Sequence, residues 1–251
     1  MIKHLVILFV VALALAGCAT TVNTTNMNAD EHLTYAMKLF NEQDYLASIS
    51  EFQTILMQYP GSAVVDQAQF YLAESHFKKQ EYILAAYEYS KLIKDIPASK
   101  LVPQAQFMLA ESYYQLSPDY QLDQRYTKKS IEEFQAFIDF FPTDQRVTEA
   151  EKKINELNTK LAEKEFNAGR IYEVMENYNA AVYYYTLVEE TYHDTKYAPV
   201  AMYNKIKILI AKKDNVNALH EISSFLQKYP GDTNIAEVKK IQESLSKTSS
   251  L

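Results

Sequence analysis

Apolar residues recur at helical intervals through most of the chain. In "YLASISEFQTILMQY" (45–59) they stand at Tyr45, Leu46, Ile49, Phe52, Ile55, Leu56 and Tyr59, one face of a helix with 3.6 residues per turn. The pattern is cut at regular places. An aromatic or apolar residue followed by a helix stop recurs as Tyr59-Pro60, Ile96-Pro97, Phe141-Pro142, Tyr192-His193 and Tyr229-Pro230. With only four glycines and seven prolines in the sequence, such punctuation is informative. Two residues beyond each stop stand Ser62, Ser99, Asp144, Thr195 and Asp232. Each can accept a hydrogen bond from a free helical N–H, so each is an expected N-cap. Twelve residues before each stop stand Ser48, Ala85, Ser130, Ala181 and Ala218. A small side chain at one fixed place predicts that two helices approach closely there.

Two segments are near copies, "DQAQFYLAESHF" (66–77) and "PQAQFMLAESYY" (103–114), offset by 37 residues. A helical period of this size means a solenoid of stacked hairpins. The units resemble the tetratricopeptide repeat (TPR). The matching residues are Ala36, Ser48, Phe52, Ile55 and Pro60 in repeat one, and Ala73, Ala85, Tyr89, Leu92 and Pro97 in repeat two. Repeat four offers Gly169, Tyr172, Tyr178, Ala181, Tyr185 and Val188, while repeat five places Ile206 where a small residue is expected. The expected fold is all-α: a TPR-like right-handed solenoid of about five hairpins with a C-terminal capping helix. Asn28 with Glu31 reads as a capping box opening the first helix. Ile235, Val238, Ile241 and Leu245 form the one apolar stripe that a terminal helix requires.

Two places depart from the ruler. Between Pro142 and His193 there are 14 extra residues, two heptads, which lengthen a helix without rotating its buried face. One helix of about 33 residues over 144–176, ~50 Å long, is expected to join the two halves. The other departure is "SPDYQLDQRYT" (117–127), which carries eight extra residues between Ala110 and Ser130. Pro118 should end one helix after Leu116, and Asp123 should N-cap the next, with Gln124 and Arg125 in its first turn. Either this is a tolerated insertion, or Tyr120, Leu122 and Tyr126 fold back against the groove edge or a partner.

The N-terminus adds a membrane connection. Lys3 precedes an apolar run of 12 residues, Leu5 to Ala16, which is too short to span a bilayer and reads as a signal-peptide core. It ends in "LAGC", which resembles the lipobox of bacterial lipoproteins. That resemblance implies cleavage before Cys18, the one cysteine of the sequence, and its lipidation. Ala19 at the next position favours the outer membrane by similarity to proteobacterial sorting. The expected parts are a signal peptide (1–17), a lipidated N-terminus and tether (18–28), repeats one to three (29–142), and the linking helix, repeats four and five and cap (143–246). Past the signal peptide, 24 basic residues face 32 acidic ones, a balance that argues against nucleic acid.

No catalytic or cofactor signature is present: no HExxH, no GxSxG, no glycine-rich phosphate loop and no cysteine pair for a metal. The expectation is a non-enzymatic protein with no metal and no cofactor. His76 reads as a packed, hydrogen-bonded histidine, and Tyr185 as core. In TPR-like solenoids the first helix of each hairpin lines a concave groove. The matching positions are Leu33, Met37 and Phe40, then Phe70, Glu74 and Phe77, then Phe107, Glu111 and Tyr114. Together they make an aromatic trough suited to a peptide; alternatively, some of these rings pad contacts between repeats.

The lipobox, tether, extended third repeat and long helix occur together with "SPDYQLDQRYT", "FQAFIDFFP" and "LAEKEFNAGRIYEVMENYNAAVYYY". In these the chain resembles the BamD family of outer-membrane assembly lipoproteins. The resemblance implies a lipid-anchored scaffold on the periplasmic face of the outer membrane. It implies docking on the POTRA region of a BamA-like barrel subunit, contact with other assembly lipoproteins, and recognition of C-terminal segments of unfolded outer-membrane proteins by the N-terminal repeats. A reading of a different class is a periplasmic TPR adaptor that organises peptidoglycan enzymes.

Overall fold

The computed structural model describes residue 24 and residues 26–248. Among them are eleven helices and no strand. They are α1 (Ala29–Asn41), α2 (Tyr45–Gln58), α3 (Val65–Lys78), α4 (Tyr82–Asp95), α5 (Val102–Leu116) and α6 (Arg125–Phe140) in the first half. The second half holds α7 (Val147–Val174), α8 (Tyr178–Thr191), α9 (Tyr197–Ala211), α10 (Asn215–Lys228) and α11 (Ile235–Thr248). Each helix packs chiefly on the next in sequence, so the architecture is five antiparallel hairpins in a TPR-like solenoid, closed by α11. None of the described helices is long and apolar enough to cross a membrane.

The small residues do what their spacing requires. Ser48, Ala85, Ser130, Ala181 and Ala218 are all fully buried. Around them lie separate apolar clusters strung along the solenoid, holding Phe52 and Ile55, then Tyr89 and Leu92, Phe134 and Phe137, Tyr185 and Val188, and Ile222 and Phe225. Gly169 is another close approach: a Cβ there would stand 2.8 Å from a ring carbon of Tyr185. The capping box forms as expected, with Asn28 and Glu31 exchanging side-chain to backbone bonds of 3.0 Å. On α11 the stripe faces inward, with Val238 and Leu245 buried.

Four of the five hairpins close through the same turn. Gln43, Gln80, Glu176 and Lys213 take φ near +60°, the left-handed conformation that ends a helix without requiring a loop. Asp44, Asn177 and Asp214 then cap the second helix of their hairpins, accepting from the backbone N–H of Ala47, Ala180 and Asn217. Repeat three alone lacks this turn, and its place is taken by the inserted stretch.

The turns between hairpins correct one expectation. Ser62, Ser99, Asp144, Thr195 and Asp232 are not N-caps; the caps of α3, α5, α7 and α9 are Val64, Leu101, Arg146 and Lys196, without side-chain bonds. Ser99, Asp144 and Asp232 instead accept from the N–H two residues on, shaping a turn that precedes the helix. That turn also shortens the long helix. Instead of 144–176, α7 covers 28 residues, about 42 Å, because Asp144 to Arg146 form the entry turn and Glu176 the exit.

Candidate functional site: an open first groove and a bound insertion loop

The nine groove positions do not share one environment. Phe70 and Phe107 are core, 2% and 7% exposed, so neither ring lines a groove. The cause is that a first helix is flanked by second helices on both sides. Phe70 packs on Tyr89, and Phe107 packs edge-on to Phe134 and Phe137 with the Arg146 guanidinium over its face. Phe40 and Phe77 are half-buried against Tyr45 and Tyr71, and against Tyr82. Leu33 and Met37 are likewise half-buried, packed on the first core cluster, and they also line a shallow hollow with Thr34, Lys38, Asn41, Glu42 and Gln67.

The acidic groove residues are already engaged. Glu74 accepts a short hydrogen bond from the Tyr89 hydroxyl, inside its own hairpin. Burial holds its carboxyl above the usual range, against the lowering effect of that bond. Glu111 instead reaches the next repeat, 2.9 Å from the Lys153 ammonium on α7. Tyr114 donates to Glu156, also on α7, at 2.8 Å, and Lys153 sits 4.1 Å from its ring centre. Burial and the Glu156 carboxylate push the Tyr114 phenol up to about 12. The groove face is therefore open at repeat one and tied off by α7 at repeat three.

The insertion loop is bound to that same helix. Lys164 donates to the Leu122 carbonyl at 2.6 Å, and Lys160 to the Ser117 hydroxyl at 2.8 Å. Burial lowers the Lys160 ammonium below its usual value. Gln124, which the sequence marks only as a first-turn residue, is buried and folds the loop on itself: its amide donates to the carbonyls of Asp119 and Leu122, and its oxygen accepts from Thr127. Asp123 does not N-cap α6, since Gln124 holds that position; its carboxylate accepts from the Arg125 N–H at 3.1 Å. Tyr126 stacks on Tyr113, Tyr120 lies near enough to add to the upward shift of the Tyr197 phenol, and Leu122 is exposed. The two departures from the repeat ruler are thus partners, because the lengthened helix carries the lysines that hold the lengthened turn.

A buried charge cluster was also invisible in the sequence. Lys205, where repeats two and three have Leu72 and Leu109, bridges Glu189 at 3.1 Å and Glu221 at 2.9 Å, and Lys228 closes on Glu189 at 3.0 Å. It joins α8, α9 and α10 and is matched in charge, which marks it as structural. His76 is buried with Nδ1 2.7 Å from Glu81, and Tyr185 is fully buried. Among the described residues no group of three or more His, Cys, Asp or Glu is placed to hold a metal ion. Cys18 lies outside the described residues.

Comparison with known proteins locates this arrangement. A curated relative, the outer membrane protein assembly factor BamD of Rickettsia prowazekii (strain Madrid E), is 29% identical over 207 residues, 82% of each chain. Solved structures with a similar course include the TPR2AB domain of yeast Sti1 in its pHSP90 complex, at 15% identity and a TM-score of 0.42, covering 87% of this chain and 98% of that one. A thermophilic TPR protein of Thermus thermophilus matches over the same shares at 16% identity and a TM-score of 0.37. The family model YfiO, described as an outer membrane lipoprotein, matches residues 25–212, about three quarters of the sequence. The chain belongs to the YfiO family of outer membrane lipoproteins.

Proposed function

We propose that the chain is a non-enzymatic scaffold in the assembly of β-barrel proteins at the outer membrane, anchored on the periplasmic face through lipidated Cys18. The reading rests on family membership, on the name of the Rickettsia relative, and on one structural observation. Leu33 and Met37 line a shallow hollow at repeat one, while Glu111 and Tyr114 are tied to Lys153 and Glu156. A short extended segment with apolar side chains, such as the C-terminal strand of an unfolded barrel protein, fits an apolar hollow edged by Lys38 and Asn41. The outer surfaces of the later repeats are then left for the POTRA region of a BamA-like subunit and for other assembly lipoproteins.

A photo-crosslinking residue placed at Met37 tests the reading directly. It should capture a peptide from the C-terminus of an outer-membrane protein, and one at Phe107 should not. Depletion of the protein should lower β-barrel levels in the outer membrane. Normal barrel assembly without it, or recovery of peptidoglycan enzymes in place of barrel proteins, would sink the proposal.

A further inference from the structure

Two side-chain amides at the repeat-one hollow have no partner. Asn41, the last residue of α1, and Gln67, in the first turn of α3, both line the hollow and are both exposed. Neither carboxamide makes a hydrogen bond among the described residues. Gln69, two residues further along α3, instead gives its amide to Glu88. A carboxamide carries N–H donors and a carbonyl acceptor, the same groups that a peptide backbone presents. Charge adds little in the hollow. The cation that lines it, Lys38, stands 3.8 Å from Glu42 on the same helix, and both are more than half exposed.

The floor of the hollow sets a spacing. Leu33 and Met37 are half-buried and one turn apart on α1, ~6 Å along the helix axis. In an extended chain, side chains on one face recur every second residue, ~6.7 Å apart. Two apolar side chains of such a segment therefore fall at nearly the interval of the two that line the hollow. Asn41 lies ~12 Å beyond Leu33 on α1, the length of about four extended residues. The first helices α1 and α3 touch side by side and run the same way, so Gln67 near the start of α3 and Asn41 at the end of α1 mark opposite ends of the hollow. We propose that Asn41 and Gln67 bind the backbone of an extended segment of about four residues, whose alternate apolar side chains meet Leu33 and Met37. Recognition is then of extended conformation and alternation, and the outward side chains go unread. The inference rests on the peptide-binding reading above and adds the groups that do the binding.

The probe is a fluorescent, end-blocked peptide, Ser-Val-Thr-Val-Thr-Val-Ser, titrated by anisotropy against the full-length lipidated protein in nanodiscs. Asn41→Leu and Gln67→Leu, both surface changes, should each weaken binding by roughly threefold or more at an unchanged melting temperature. A probe N-methylated at both threonines should bind the wild type roughly fivefold more weakly. The double variant should barely distinguish the methylated probe from the plain one. Replacing the threonines by glutamine should leave the affinity nearly unchanged, and gathering the valines into one run should lower it. Equal binding by wild type and double variant, equal losses on N-methylation in both, or no binding of the probe by the wild type overturns the backbone reading. If a crosslinker at Met37 still captures barrel C-termini in those cases, the proposed function stands without it. Loss of that crosslink as well overturns both.

Discussion

Repeats two and three carry nearly the same twelve residues at the start of their first helices, and they build nearly the same joints. Gln69 donates to the Glu88 carbonyl and carboxylate at 3.0 and 2.7 Å, and Gln106 donates to those of Glu133 at 3.1 and 2.8 Å. Ser75 and Ser112 each bond the carbonyl four residues back at 2.7 Å. Around the groove carboxylate the two joints part at a single atom. Tyr89 of repeat two has a hydroxyl that claims Glu74, whereas its counterpart Phe134 has none. Glu111, the copy of Glu74, is left to pair with Lys153. One copy turns its carboxylate into its own hairpin, and the other spends it on the long helix. Sequence identity in one helix therefore sets the joint, while the facing residue of the second helix decides where the spare polar group goes.

The largest expected effect extends the comparison to a third copy. Gly169 stands where repeats two and three have Ala73 and Ala110. Gly169→Val would drive a side chain into Tyr185, whose hydroxyl is held by Glu173 at 2.5 Å, and should cost about 3 kcal/mol by thermal or urea unfolding. Ala73→Gly and Ala110→Gly should cost about 1 kcal/mol each. If the valine variant melts like the wild type, the close approach is not what holds repeat four. Next comes Tyr89→Phe, which makes repeat two resemble repeat three but leaves Glu74 with only the longer-range charge of Lys78, where Glu111 has Lys153 at 2.9 Å. Burial already raises the Glu74 pKa above its unfolded value. Its contribution is thus fully present below the usual carboxylate range and lost as pH rises through the raised value. Removing the Tyr89 bond takes away the main effect opposing that rise, so the loss deepens, to about 2 kcal/mol at pH 7 and less at pH 5. A pH-independent loss would show that Glu74 is not the group responsible.

A finer test asks whether the shared joints are equal. Gln69→Leu and Gln106→Leu should each cost about 1 kcal/mol. A difference between them well above ~0.5 kcal/mol would mean that the matched geometry hides unequal surroundings.

Much of the solenoid was legible because its signals were redundant. Five aromatic or apolar stops, five small residues and one near-duplicate all report the same register. What the sequence hid follows from two facts. First, a helical period cannot say which side of a first helix is groove when second helices flank it on both sides. The resemblance to TPR-like solenoids assigns Phe70 and Phe107 to the lining, and the period cannot correct it, although they are core. Second, a polar residue within an apolar run reads as surface. Gln69, Gln106, Gln124 and Lys205 are all buried, each satisfied by partners between 16 and 27 residues away or by its own loop. The recurrence of a glutamine at the same place in both near-copies was the one signal that could have revealed two of them.

The smallest expected effect concerns the turn that repeat two has and repeat three lacks. Gln80 takes φ 63°, a conformation that costs a side-chain-bearing residue about 1–2 kcal/mol and glycine almost nothing. Gln80→Gly removes that strain but adds unfolded-state freedom of about 0.5–1 kcal/mol. The net should be a gain of about 0.5 kcal/mol, seen as a higher urea midpoint at unchanged slope. In repeat three, no residue of 117–127 takes a positive φ, and the Leu122 carbonyl is fastened by Lys164 and Gln124. Leu122→Gly relieves nothing there and only loosens the chain, so it should lower the midpoint. Opposite signs for the same residue type at corresponding turns would mean that repeat three is held by its lysines, where the other hairpins are held by backbone geometry. A gain at both turns would instead mean that the inserted stretch is strained, and that its bonds to α7 hold it against a relaxed alternative.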